Sequence, residues 1–357
     1  MKKTTTISFL LFFLLLTIAT NAQLFGGIEI GSKGIKMSVI NVENVKKGIY
    51  TVREFWTENV GIARGISLDG KLAEEDIVKA IEKVTKNYAK LKTEFSVEDK
   101  NLFIVASSGV GMASNTADLV KRVKVATNKD LEIISAALEA KLLLKGCIPP
   151  KFYANSLILD IGGGNTKGGY VESFNEDNSL VFIPVSLDLG TITLTEKINK
   201  KAALRNTLQE YNVQSFGFLP TLREQTALMF KDKPKYTDKQ NVYLSGGAVW
   251  AFYTLFNEMA AKDNFNEMKY EDIIFYKTSI ENNYNKYEIL AQQNQEIDKV
   301  LKTYSQKHLI SAGNLLATLI ENLPNYKAKK LFYVKQGQIA WLLAYVADAA
   351  KGAKVIY

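Results

Sequence analysis

GIEIGSKGIKMSVI at residues 27–40 and ILDIGGGNTKGGYV at residues 158–171 follow one plan: an apolar strand, an acidic residue, a glycine turn and a returning strand. A single unit of this kind is a weak signal. Two of them, each opening a block of similar element order, mark an internal repeat. A chain of 357 residues is too long for one comfortable core and suits two domains. The repeat therefore predicts an α/β fold in which two like domains face each other across a cleft.

Element by element, the halves run in step. Apolar runs bounded by glycine predict strands at 25–30, 35–42, 50–60, 102–106 and 132–134. Ile77, Ala80, Ile81, Val84, Tyr88 and Leu91 recur at helical spacing within residues 73–91, and a second helix runs to Leu144. The order then restarts, with strands at 156–161, 166–171 and 180–187, two helical stretches, a strand at 242–244 and the Gly246-Gly247 turn into a helix. From about residue 280 the pattern predicts helix alone, apart from a loop at Pro324. Gly146, Cys147, Ile148, Pro149 and Pro150 read as a junction. Domain I is thus expected over 23–150, domain II over 151–330, and a last helical segment over 331–357 packing back on domain I.

The side-chain inventory narrows the chemistry. The chain has one histidine, His308, and one cysteine, Cys147. Histidine-rich metal centres and an internal disulfide are excluded. Chemistry here has to run on carboxylates, backbone amides and lysines. The formal charge of +8 is spread along the sequence, which suits an anionic substrate. No aromatic-basic module for nucleic acid is visible. At the start, Lys2 and Lys3 precede the apolar run 7–18 and the small-residue exit Ala19, Thr20, Asn21 and Ala22. That is the pattern of a secretory signal peptide over 1–22, cleaved after Ala22. The mature chain is expected without a membrane anchor, in the periplasm or outside the cell.

The turn Gly162-Gly163-Gly164-Asn165-Thr166 has more glycine than a hairpin needs. Glycines allow positive φ and close backbone approach, so successive N–H groups can form an anion-binding concavity. Asp160, at the preceding strand end, would repel a phosphate unless a cation lay between them, which implies Mg²⁺ held largely through water. The first loop, from Glu29 through Gly31, Ser32, Lys33 and Gly34, repeats the arrangement. Lys33 reads equally well as a phosphate partner or a solvated turn lysine. Glu139, by spacing alone, is one glutamate among many on a helix.

Around these residues the chain resembles the exopolyphosphatase and guanosine pentaphosphate phosphohydrolase family, within the sugar kinase, Hsp70 and actin superfamily. GIEIGSKGIKMSVINV is similar to the first phosphate motif and LILDIGGGNTKGGYV to the second. VASSGVGMASNTADLVKRV, EIISAALEAKLLLKG, SLDLGTITLTEKI and LSGGAVWAF follow in family order, and the resemblance runs from Gly26 to about Lys197 and more faintly to the C-terminus. It implies two actin-like (ribonuclease H-like) domains, each with a mixed five-stranded sheet flanked by helices. Glu139 falls on the catalytic glutamate, which activates the attacking water. Asp160, Gly162, Gly163 and Gly164 fall on the second loop, with Asn165 where the family usually has serine. The implied reaction removes terminal phosphate from polyphosphate or guanosine pentaphosphate with Mg²⁺. Three positions depart from the pattern: Glu29 replaces an aspartate, Gly111 an arginine, and Leu138 the partner of the catalytic glutamate.

The expected site therefore has Glu139 as catalytic base and Glu29 and Asp160 at Mg²⁺. Gly31, Ser32, Lys33, Gly162, Gly163, Gly164, Asn165 and Thr166 are expected on phosphate. A homodimer is compatible with this organisation. Glu29 and Gly111 favour an alternative, a catalytically silent phosphate or polyphosphate binder. An ATP-binding kinase or ATPase of the same superfold also suits two phosphate loops, but export disfavours it because ATP is scarce outside the cytoplasm. The leader reading is checked by intact mass of protein from its native compartment: the chain should begin at Gln23, and a mass that includes residues 1–22 overturns it.

Overall fold

The structure, a computed structural model, describes residues 23–44, 49–176, 179–202 and 207–351; the expected leader over 1–22 lies outside the described residues. The first sheet begins as an antiparallel meander of β1 (Gln23–Ile30), β2 (Gly34–Asn44) and β3 (Ile49–Asn59). Helix α1 (Glu74–Thr93) leads to β4 (Leu102–Ala106), parallel to β1, and α2 (Thr116–Thr127) leads to β5 (Leu131–Ile133), parallel to β4. The strand order is β3-β2-β1-β4-β5. Helix α3 (Ala136–Cys147) then leaves this sheet.

The second sheet repeats the scheme. A meander of β6 (Ser156–Ile161), β7 (Thr166–Phe174) and β8 (Leu180–Leu187) precedes α4 (Thr191–Lys201), α5 (Leu208–Met229) and β9 (Asn241–Ser245), which lies parallel to β6. After α6 (Gly247–Asn257) come β10 (Phe265–Met268), α7 (Tyr270–Asn282), α8 (Tyr284–Ala291), α9 (Gln295–Thr303) and α10 (Gln306–Glu321). The chain ends, within the described residues, on β11 (Lys330–Val334) and α11 (Gly337–Ala349). The order is β10-β11-β9-β6-β7-β8, so β11 corresponds to β5 and β10 is an added antiparallel edge.

Two expectations need correction. The second sheet has six strands rather than five, and the stretch beyond residue 280 contains β11 rather than helix alone. β11 also crosses the expected start of the C-terminal segment at 331, which is strand first and helix after. KLFYV is too short an apolar run for periodicity to separate a buried strand from helix. FNEM carries Asn and Glu, poor strand formers, and pairs only because an edge strand needs one neighbour.

Each half has a hydrophobic cluster of its own, and a third is shared between the two sheets. Helix α3, from the first half, packs on β6, β7 and β8 of the second sheet, while α11, from the far end of the chain, packs on β1 and β2 of the first. The two helices also pack on each other. One hydrophobic cluster joins Phe25, Ile40 and Val105 of the first sheet to Ile158, Val171 and Tyr243 of the second through Leu142, Leu143, Leu342 and Val346. Sequence order and packing therefore divide the chain differently. β1 is covered on both faces, and glycine makes that possible: a Cβ at Gly27 would stand 2.7 Å from Val346, and one at Gly26 would stand 2.7 Å from Leu102.

The α3–α11 contact is tight at Gly146, where a Cβ would fall 2.5 Å from the Ala340 carbonyl oxygen. Lys145 and Asp348 form an ion pair beside it. Two effects compete at this glycine. Helix propensity favours alanine by about 1 kcal/mol, whereas overpacking a helix contact costs about 1–3 kcal/mol. Because the obstructing atom is backbone, overpacking wins. Gly146→Ala should lower stability by about 1–2 kcal/mol in urea unfolding; a stabilised variant would show that the helices have slack.

Candidate active site

The two glycine hairpins close in the same way. The Gly31 amide donates to the Gly34 carbonyl at 2.9 Å, and the Gly162 amide donates to the Asn165 carbonyl at 3.0 Å. In each, the strand-end acid lies directly across the hairpin from a lysine: Glu29 pairs with Lys36 and Asp160 with Lys167. The triple glycine was expected to supply positive φ, but Gly162, Gly163 and Gly164 all lie outside the left-handed region. Their use is close approach. A Cβ at Gly164 would meet Ser32 Oγ at 2.8 Å and the Gly109 carbonyl at 3.0 Å, and one at Gly163 would meet Ile192 at 3.0 Å. The first loop's serine thus sits against the second loop's glycines, and the two loops touch.

Between the halves is a cavity of about 390 Å³, lined by both loops, by Glu29, Glu139 and Asp160, and by Gly246, Gly247, Trp250 and Tyr304. Glu139 stands in the first turn of α3, whose N-cap Ser135 accepts from the Leu138 amide. Its side chain is 1% exposed and fully engaged: Oε2 accepts from the Ser108 amide at 2.8 Å and from the Ser108 hydroxyl at 2.6 Å, and Oε1 lies 2.9 Å from Lys167 Nζ. Asn165 Nδ2 donates to Ser108 Oγ at 2.9 Å, tying the second loop to the same serine. Lys167 also reaches Asp160 Oδ2 at 2.9 Å. Lys36 Nζ holds both Glu29 oxygens, at 3.0 and 3.2 Å.

The sequence-derived residues divide into two groups. Glu29, Ser32, Lys33, Glu139, Asp160, Gly162, Gly163 and Asn165 line the cavity. Gly31, Gly164 and Thr166 do not: Gly31 and Gly164 shape the loops, and the Thr166 hydroxyl donates to the Leu189 carbonyl at 2.8 Å. Gly111 lies away from the cavity, and a side chain there would first meet Ile133. Lys36, Lys167 and Ser108 are the groups that sequence reasoning passed over. A signal for the lysines was present, because each stands seven residues after the strand-end acid in both hairpins.

These pairs bear on the expected Mg²⁺. Octahedral Mg²⁺ needs oxygen ligands about 2.0–2.1 Å away, yet Asp160, Glu139 and Glu29 each already hold an ammonium at hydrogen-bond distance. Among the described residues, no three His, Cys, Asp or Glu side chains converge as a metal site. The donor set does not fit a divalent ion. Burial pushes the Glu29 carboxyl up to about 7, with Lys36 opposing the shift and the Glu139 charge adding to it. Burial acts in the same direction on Asp160, but the Lys167 ammonium outweighs it and holds that carboxyl below its usual value. Burial would lower Lys167, and the Asp160 and Glu139 charges reverse the direction, holding it firmly protonated.

On the opposite wall, Lys33 Nζ lies 5.2 Å from the Tyr304 ring centre. Burial, with Arg64 adding, lowers the Lys33 ammonium below its usual range. Next to Tyr304, His308 is lowered to about 4 by burial and by the Lys33 charge. A histidine kept neutral in the folded state gains protons only on unfolding below its ordinary value of about 6.5. Its contribution is therefore present above pH 6.5 and is lost as pH falls towards 4, up to about 3 kcal/mol in all. As the sole histidine, it should titrate near pH 4 by NMR, and His308→Gln should flatten the stability slope between pH 4 and 6.5. Titration at an ordinary histidine pKa contradicts this.

Comparison with known proteins accords with this geometry. The profile of the Ppx/GppA phosphatase family matches residues 39–215. The chain is 27% identical over 202 residues, 55% of its length, to a bifunctional 3-dehydroquinate synthase/phosphatase of Fusobacterium nucleatum, covering 29% of that protein. It is 24% identical over 185 residues, 52% of its length, to a guanosine-5'-triphosphate,3'-diphosphate pyrophosphatase of Pseudoalteromonas translucida, covering 35% of it. The chain thus spans about a third of the length of these curated relatives. The fold resembles the crystal structure of an exopolyphosphatase from Cytophaga hutchinsonii, with a TM-score of 0.67 at 17% identity over 93% of this chain and 99% of that one. With the repeated hairpins and the paired sheets around it, the matched segment, residues 39–215, is a Ppx/GppA phosphatase family segment.

Proposed function

We propose that this protein is an exported phosphohydrolase that removes a terminal phosphate from polyphosphate or a related polyphosphorylated small molecule. The observation that carries the reading is convergence: two glycine loops from the two sheets and the buried Glu139 carboxylate open on one cavity. Phosphoryl transfer asks a protein mainly for positioning and charge neutralisation, which loop amides, Lys33 and Lys167 are placed to supply. In the proposed step a water oxygen bonds to the terminal phosphorus and gives its proton to Glu139. The bridging P–O bond breaks, orthophosphate is released, and the shortened chain keeps the bridging oxygen and its electron pair. The phosphatase and pyrophosphatase names of the relatives support the reaction class.

One observation favours a second reading, a silent polyphosphate binder. Glu139 already accepts from two Ser108 donors and contacts Lys167, so both of its oxygens are engaged by the protein rather than held free for an attacking water. Phosphate release from polyphosphate, pyrophosphate and guanosine polyphosphates, by wild type and Glu139→Gln, separates the two. A base role predicts a loss in turnover of about 10²–10⁴-fold with affinity retained. Binding without any release, unchanged in the variant, establishes the silent reading.

A further inference from the structure

We infer that Lys167 and Lys36 occupy the cation positions of this cleft, so that it holds phosphate without a divalent metal. The inference rests on the proposal that the cleft takes phosphate, and it goes further by naming what neutralises that phosphate. Its basis is a repeated geometry rather than a single contact. Glu29 and Asp160 occupy equivalent strand ends, and each faces a lysine in the same cross-hairpin register. Lys167 is 5% exposed, and its ammonium lies 2.9 Å from two carboxylates belonging to different elements, Asp160 on β6 and Glu139 on α3. A carboxylate beside a phosphate needs a cation between them, and here an ammonium lies against each of the three.

The charges also exclude a shared arrangement. A dication bound to Asp160 or Glu139 would stand within a few ångströms of a buried ammonium, where like charges repel by several kcal/mol at an effective dielectric near 20. Lysine cannot leave without stranding the carboxylates, since its stem is packed within β7 and its head is enclosed. An ammonium has three donors. Two are used on Glu139 and Asp160, which leaves one for an anion in the cavity that Lys167 lines. Lys36, a quarter exposed, is set to do the same from the other hairpin.

Mn²⁺ binding, followed by electron paramagnetic resonance, tests this without depending on turnover. Wild type should show no saturable Mn²⁺ site, and its binding of inorganic phosphate or polyphosphate should be the same in EDTA and in millimolar Mg²⁺. Lys167→Met removes the ammonium while keeping the stem, so Asp160 and Glu139 should then gain Mn²⁺ affinity by about a hundredfold or more. If that variant unfolds, the wild-type measurements still decide. One saturable Mn²⁺ per wild-type chain, phosphate binding lost in EDTA, or no phosphate binding under any condition overturns the inference. A wild type that binds phosphate equally in EDTA but releases none from any substrate defeats the hydrolase proposal and leaves this inference standing.

Discussion

The arrangement of the whole molecule depends on the exchange of α3 and α11 between the two sheets. Each helix follows a strand of one sheet and buries its apolar side against the other, so neither half alone can complete the cluster between them. Burial of Leu142, Leu143 and Leu144 is worth roughly 1.5–3 kcal/mol for each side chain. That energy goes into fixing one half against the other as well as into folding. The functional consequence is direct. Glu139 stands in the first turn of α3, and the body of that helix is anchored on β6, β7 and β8. The same sheet carries Lys167 and Asp160, so the Glu139–Lys167 distance is set by core packing rather than by a mobile loop.

Electrostatics explains why the cleft carries lysines at all. Glu29, Glu139 and Asp160 are all nearly inaccessible to solvent, and an unpaired buried carboxylate is costly. Buried ion pairs seldom add net stability over apolar residues of the same volume, although breaking one costs about 3–5 kcal/mol. Folding alone would be served as well by a hydrophobic plug. Two acid–lysine pairs at the same register of two hairpins, both lining one cavity, point to use in that cavity. The pairs are also unequal. Lys167 is shared between two acids and keeps Asp160 ionised, whereas Lys36 is partly exposed and leaves Glu29 near 7. Near neutral pH the cleft therefore carries one carboxyl whose charge is easily changed by what binds beside it.

The internal repeat made much of this legible. The strand–acid–glycine–strand unit located both hairpins, and strands at 102–106, 156–161 and 180–187 match the observed bounds residue for residue. Less legible was whatever depended on partners distant in sequence. The apolar run of β11 fits helix or strand until β9 is beside it. Lys167 reads as a strand residue among glycines, and only the fold brings Glu139 from 28 positions earlier to its ammonium. Ser108 gave no signal of its own, because its amide and hydroxyl acquire meaning only once α3 places a carboxylate above them. Of the two reasons the triple glycine offers, positive φ and close approach, only close approach operates: the constraint is the proximity of Ser32 and Gly109, not the sign of φ.

The loops also show why an exact duplicate would not serve. At the floor of the cleft one hairpin presents Ser32, with Lys33 beside it, and the other presents Gly163 and Gly164. Side chains on both would collide, since a single added Cβ at Gly164 already falls 2.8 Å from Ser32 Oγ. Divergence of the repeat thus lets the loops touch, and a hydrogen-bonded chain runs across the junction from Asn165 through Ser108 to Glu139. Opening the halves at this floor would break the Asn165–Ser108 bond, because the two residues come from loops of different halves. Glu139 would then lose the partner that orients the Ser108 hydroxyl. The state of the carboxylate is in this way tied to the closure of the cleft, through a serine that touches both halves.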